Sequence, residues 1–163
     1  MKCTKLATIL AMVAKFAAAE TRQTCVQVKN KSGKPLTDLW VIHQYSNEDK
    51  EKHHWDSVPD GGLTNSADMN VTFNTGFGRF GADWWHVNWR HPDDGYKIHF
   101  SDPDDGSDGF KKHTLKVQDT AVCAVIQINS DNVVSFTSSS SLSMTKASQM
   151  EFNYYNPGWV IVP

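Results

Sequence analysis

The chain has 163 residues, 39% of them hydrophobic, and a formal charge of −2. That length suits a single domain, and the slightly acidic balance argues against a surface built to hold a nucleic-acid backbone. Its three cysteines form no CxxC pair, so the sequence gives no support to a zinc ribbon or a thiol redox motif.

The N-terminus has the three parts of a secretory leader. Met1 to Lys5 carries two lysines, Leu6 to Ala14 is a short apolar run, and Phe16-Ala17-Ala18-Ala19 sets small residues where a signal peptidase cuts. Residues 1–19 are therefore expected to be a cleaved signal peptide, with Glu20 opening a secreted, extracellular domain. The apolar run falls short of the about 20 residues a spanning helix needs, so no transmembrane segment is expected. Lys2, Lys5 and Lys15 leave with the leader, so thirteen Lys and Arg face eighteen Asp and Glu in the remainder, a charge of −5. Cys3 leaves too. Cys25 and Cys123 are then expected to pair in an oxidising compartment. Two sequons, Asn30-Lys31-Ser32 and Asn70-Val71-Thr72, are expected glycosylation sites at Asn30 and Asn70.

Along residues 20–163 the hydrophobic pattern has period two, and no helix is expected. Thr24 to Val28 reads as a strand closed by a turn at Lys31-Ser32-Gly33, and Leu39 to Tyr45 as a second, central strand. Met69, Val71 and Phe73 alternate with Asn70, Thr72 and Asn74, giving a strand with one buried face. Asp83 to Arg90 and Tyr96 to Phe100 flank the turn His91-Pro92-Asp93-Asp94-Gly95, a hairpin signal. Within its first arm Trp85, Val87 and Trp89 share one face, and Trp84, His86, Asn88 and Arg90 the other. Leu115 and Val117 mark a further strand. Val122 to Ile128 and Val133 to Phe136 form a second hairpin about Asn129-Ser130-Asp131-Asn132. A mobile Ser-rich stretch is expected near 138–148, and Phe152 to Val162 as an added edge strand. Seven or eight short strands predict an all-β, single-domain antiparallel β-sandwich, with a closed β-barrel as the alternative.

Four constellations bear on chemistry. Gly76-Phe77-Gly78-Arg79-Phe80-Gly81 has the spacing GxGxxG, but a Trp-rich strand follows it where a dinucleotide site requires a helix. It reads instead as a loop displaying Phe77, Arg79 and Phe80. With Trp84, His86 and Arg90 these residues form the expected interaction surface, and its competitor is a loop whose phenylalanines plug one end of the fold. Asp102-Pro103-Asp104-Asp105-Gly106-Ser107-Asp108-Gly109 gathers carboxylates on a turning backbone, the chemistry hard cations seek. Asp102, Asp104, Asp105 and Asp108 are thus candidate calcium ligands, against the plainer reading of a solvated acidic turn. Seven histidines, among them His43, His53, His54, His86 and His99, lack the spacing of a metal motif and read as surface groups. Six tryptophans read mainly as core. No GxSxG is present, so a serine hydrolase lacks its signature, while a carboxylate or histidine hydrolase stays open.

The runs Val71-Thr72-Phe73-Asn74-Thr75-Gly76-Phe77-Gly78, Asp83-Trp84-Trp85 and Ser101-Asp102-Pro103-Asp104 resemble small secreted fungal proteins carrying a domain called "up-regulated in Daf". Phe110 to Leu115 and Val133 to Ser138 are similar as well, so the resemblance covers roughly Val26 to Ser140. It implies a secreted fungal β-rich protein, some of whose kind act on plant hosts, and it carries over no catalytic residue. The function expected is a non-enzymatic binding protein acting outside the cell as a fungal effector or elicitor, on a host protein, glycan or lipid. A calcium-assisted lipid or glycan binder and a small secreted hydrolase are the alternatives.

Overall fold

The computed structural model describes residues 20–46, 50–76, 81–95, 97–104 and 109–151. The leader expected at 1–19 and the tail strand expected at 152–162 lie outside the described residues. Ten strands follow in chain order: β1 (Glu20–Lys31), β2 (Leu36–Tyr45), β3 (Lys50–Val58), β4 (Met69–Thr75), β5 (Asp83–Arg90), β6 (Lys97–Ser101), β7 (Lys111–Lys112), β8 (Ala124–Asn129), β9 (Val133–Thr137) and β10 (Leu142–Glu151). They hydrogen-bond in the order β3-β2-β5-β6-β10-β9-β8-β1-β4, and β7 takes the edge of β5 that β6 leaves free. The protein is all-β, and of the two architectures read from the sequence the sheet adopts a nearly closed barrel. Among the described residues no helix is long and apolar enough to cross a membrane.

Alternation explains which side chains fill the interior, because successive residues of a strand point to opposite faces. Val26 and Val28 of β1, Leu39 and Val41 of β2, Val71 and Phe73 of β4, and Ile126 and Ile128 of β8 all point inward and are buried. Trp85, Val87 and Trp89 of β5 join them, on the face expected, with Val134 and Phe136 of β9. The interior is thus a packed core, and each large apolar side chain it holds contributes about 1.5–3 kcal/mol.

The expected antiparallel sheet has one exception. β1 and β8 run parallel, with Val26 opposite Ala124 and Lys31 opposite Asn129. Parallel neighbours need a long crossover, and here β2 to β7 supply it by running around the barrel. Cys25 and Cys123 form a disulfide beside this pairing, Cα atoms 4.5 Å apart.

Three expectations are corrected. Leu115 and Val117 do not make a strand: the Leu115 N–H donates to Asp83 Oδ2 and the Lys116 N–H to Asp119 Oδ2, so carboxylates replace strand partners ahead of a 3-10 turn at Val117–Thr120. Residues 142–148, expected within a mobile stretch, belong to β10, which pairs with β9 and β6. Backbone pairing needs no apolar side chains, so a serine-rich segment can supply it. Asn30 is fully buried, its Nδ2 donating to Lys34 O and Val58 O. A glycan needs an exposed amide, which Asn30 lacks in the fold; Asn70 is exposed on β4, as expected.

Candidate functional site

The register of β3, β2, β5 and their neighbours sets rows of side chains on the outer face of the barrel. One row runs His54, Trp40, Asn88, Phe100; the next runs Lys52, Ile42, His86; a third runs Lys50, Gln44, Trp84, Lys112. The face that carries Trp84, His86 and Arg90 therefore also gathers Trp40, His54 and three lysines.

Asp38 organises one end. A shift of register between Thr37 and Trp40 puts Asp38 in the left-handed region at φ 49°, a conformation aspartate tolerates better than most residues. Its Oδ1 accepts from Trp40 Nε1 at 3.2 Å and bonds His54 Nε2 at 3.0 Å, while Oδ2 lies 3.3 Å from Arg90 Nε. The Trp40 and His54 rings stack at 4.4 Å. At the other end the Lys112 ammonium sits 5.7 Å from the ring centre of half-buried Trp84, within range of a cation–π attraction.

Between these ends the outer face is covered. Phe110 is buried beside His86, the Lys50 ammonium lies 4.9 Å over the Phe110 ring, and His86 Nδ1 donates to Gly109 O at 2.9 Å. Burial, with the nearby Lys50 charge, pushes the His86 pKa down against the pull of that hydrogen bond, which favours the neutral ring. His86 is thus part of a second, smaller core and not a contact group. Trp84 and Arg90 remain half-exposed on the expected surface, while Phe77, Arg79 and Phe80 lie outside the described residues. Gly76 at the loop's start has φ 108°, a conformation that calls for glycine.

The start of the acidic turn, Asp102 to Asp104, lies against β7 and β10. The Asp104 carboxylate accepts from Lys111 Nζ at 2.6 Å and from the Lys112 N–H at 2.9 Å; burial opposes its charge, but these partners hold its pKa below the usual carboxylate value. Asp102 is tied through its backbone to Lys146 and Thr145. Asp105 and Asp108 lie outside the described residues.

Inside the barrel lies a polar chain that sequence reasoning missed. His43 is buried on β2; its Nδ1 bonds Glu51 Oε2 and its Nε2 bonds Asp83 Oδ1, each at 2.9 Å. Burial opposes a charge on His43, yet the two carboxylates outweigh it and raise its pKa. Glu51 also accepts the Thr72 N–H of β4 on both oxygens, at 2.8 and 3.0 Å. Glu51 and Asp83 belong to no motif, so only the fold reveals the trio. Sealed from solvent at Asp83 and His43, it serves the architecture. His99, grouped with His86 in the sequence reading, points to the opposite side of the sheet and meets His91 and Asp94 instead.

A family model described as "Up-Regulated in long-lived daf-2" matches residues 20–108, from the start of β1 into the acidic turn. No curated protein matches the chain.

Proposed function

The chain belongs to the family Up-Regulated in long-lived daf-2, and from that membership and the outer face of β3, β2, β5 and β7 we propose that it is a secreted, non-enzymatic binding protein for an anionic ligand outside the cell. One observation carries the reading. The interior is filled by core side chains, whereas the outer face holds Trp40, Trp84, Lys50, Lys52, Arg90 and Lys112 in adjacent rows. On a domain of net charge −5, the lysines Lys50, Lys52 and Lys112 gathered beside aromatic rings, away from the end where Asp38 pairs with Arg90, suit an acidic glycan or an anionic headgroup. The leader-like first 19 residues and the Cys25–Cys123 disulfide support an extracellular setting. Binding a host's surface from outside would make the protein an effector or elicitor.

Purified protein, tested against acidic and neutral glycans and against anionic and zwitterionic vesicles with and without calcium, separates these ligands. We expect binding to an anionic member that Lys50→Glu with Lys112→Glu weakens at least about tenfold, a loss of about 1.4 kcal/mol, with the melting temperature little changed. Binding that ignores the charge of ligand and variant alike overturns the reading. Host tissue infiltrated with the protein should respond, and should fail to respond to the double variant.

A further inference from the structure

The turn between β5 and β6 does more than reverse the chain. Residues 91–95 fold so that the Asp94 N–H donates to His91 O and the Lys97 N–H to Asp94 O, with Gly95 at φ 64°. This brings His91 and Asp94 to one side, and β6 returns to place His99 against both. One ligand-type atom from each of the three lies within 4.8 Å of the others. The His91 and His99 rings meet edge to face at 4.9 Å.

From this juxtaposition we propose that His91, Asp94 and His99 form a binding site for a first-row divalent cation of the zinc class. Two imidazole nitrogens and one carboxylate oxygen are the donor set such ions favour, and three protein ligands leave a position for water. The supporting groups are in place. His91 Nδ1 donates to Pro35 O at 2.9 Å, which fixes the tautomer that leaves Nε2 unprotonated and able to coordinate, the usual role of a carbonyl behind a ligating histidine. His99 is held flat against Trp89 at 5.5 Å. Both histidines are buried, while Asp94, 21% exposed, leaves a way in from solvent.

Two contacts compete with an ion. Trp89 Nε1 donates to His91 Nε2 at 3.3 Å, a long bond that a metal would displace. Asp94 Oδ2 bonds His99 Nε2 at 2.5 Å, and an ion would come between them. Lys34 lies 3.8 Å from Asp94 but is shared with Asp93 at 2.7 Å, which offsets its charge.

The test uses purified protein stripped with a chelator, then titrated with zinc by calorimetry and with cobalt by visible absorption. One ion per chain, with the intense d–d bands of a low-coordinate site and a higher melting temperature, is expected. Asp94→Asn keeps the side chain's shape and should weaken binding at least about tenfold; His91→Ala should do the same. Should His99→Ala fail to fold, the Asp94 variant still decides. No cobalt band, or a zinc affinity unchanged by Asp94→Asn, would overturn the site and assign any residual binding elsewhere, the acidic turn included.

Discussion

A single imidazole shows how much one buried residue can hold. His43 touches Glu51 and Asp83 at once, and Asp83 is fully buried with its second oxygen committed to the Leu115 N–H. Removing the ring leaves a buried carboxylate without its counter-charge, a loss of about 3–5 kcal/mol. His43→Ala is therefore expected to lower the denaturant midpoint sharply, and a midpoint close to wild type would show the trio to be dispensable. Gly81 is another position with no slack. A Cβ there would run into the Tyr45 ring hydroxyl and the Ser46 hydroxyl, where the Ser46 N–H donates to Ala82 O at 2.9 Å. Gly81→Ala should cost about 1–3 kcal/mol through that crowding, read by the same unfolding experiment.

Among the elements, the β1–β8 pair depends most on the rest of the chain, because its partners are far apart in sequence. The disulfide joins residues 98 apart, and a cross-link closing so long a loop contributes about 4–5 kcal/mol, chiefly by restricting the unfolded chain. Cys25→Ser with Cys123→Ser should reduce stability by an amount of that order, and reductant should do so in the wild type. An unfolding curve indifferent to both would show that β1 and β8 hold without it. Thr24 reinforces the same junction, its hydroxyl donating to Asp119 O at 2.7 Å. Strand signals differ in kind across the sheet. β4 alternates buried and open positions and β5 keeps Trp85, Val87 and Trp89 on one face, so both are readable, whereas β3 (Lys50–Val58) is a charged and aromatic mixture with one buried residue. Such a strand exists because β2 offers it an edge to pair with, a cause outside its own sequence.

At the scale of the whole barrel, Glu51 helps to join the two ends of the sheet by reaching from β3 to the backbone of β4. The folded His43 pKa lies above its ordinary 6.5, so its contribution is complete below that value and is lost as pH rises through the folded value. For Glu51, burial opposes the charge but His43 and Thr72 bring the pKa below its ordinary 4.5, so its contribution is complete above 4.5 and lost as pH falls through the folded value. Both act together between 4.5 and 6.5, and the pair should stabilise the barrel most there. Melting temperature against pH checks this: Glu51→Gln should flatten the acid limb, and an acid limb unchanged by that substitution would exclude the closure as its source.

The sequence by itself determined the all-β class, the inward phase of Trp85, Val87 and Trp89, the two hairpins and the Cys25–Cys123 pairing. These follow from local rules, since period-two alternation and turn residues act within a strand, and setting aside Cys3 with the expected leader leaves two cysteines to pair. Trp84 and Arg90 could be placed on an outer face for the same reason. Only the tertiary structure decided that Phe110 covers His86, that a lysine already neutralises Asp104, and that Asn30 is interior. It alone joined His43 to Glu51 and Asp83, and His91 and Asp94 to His99. Each of these depends on which strands become neighbours, and neighbours are chosen by packing of the whole sheet, over separations that no pattern within one strand encodes.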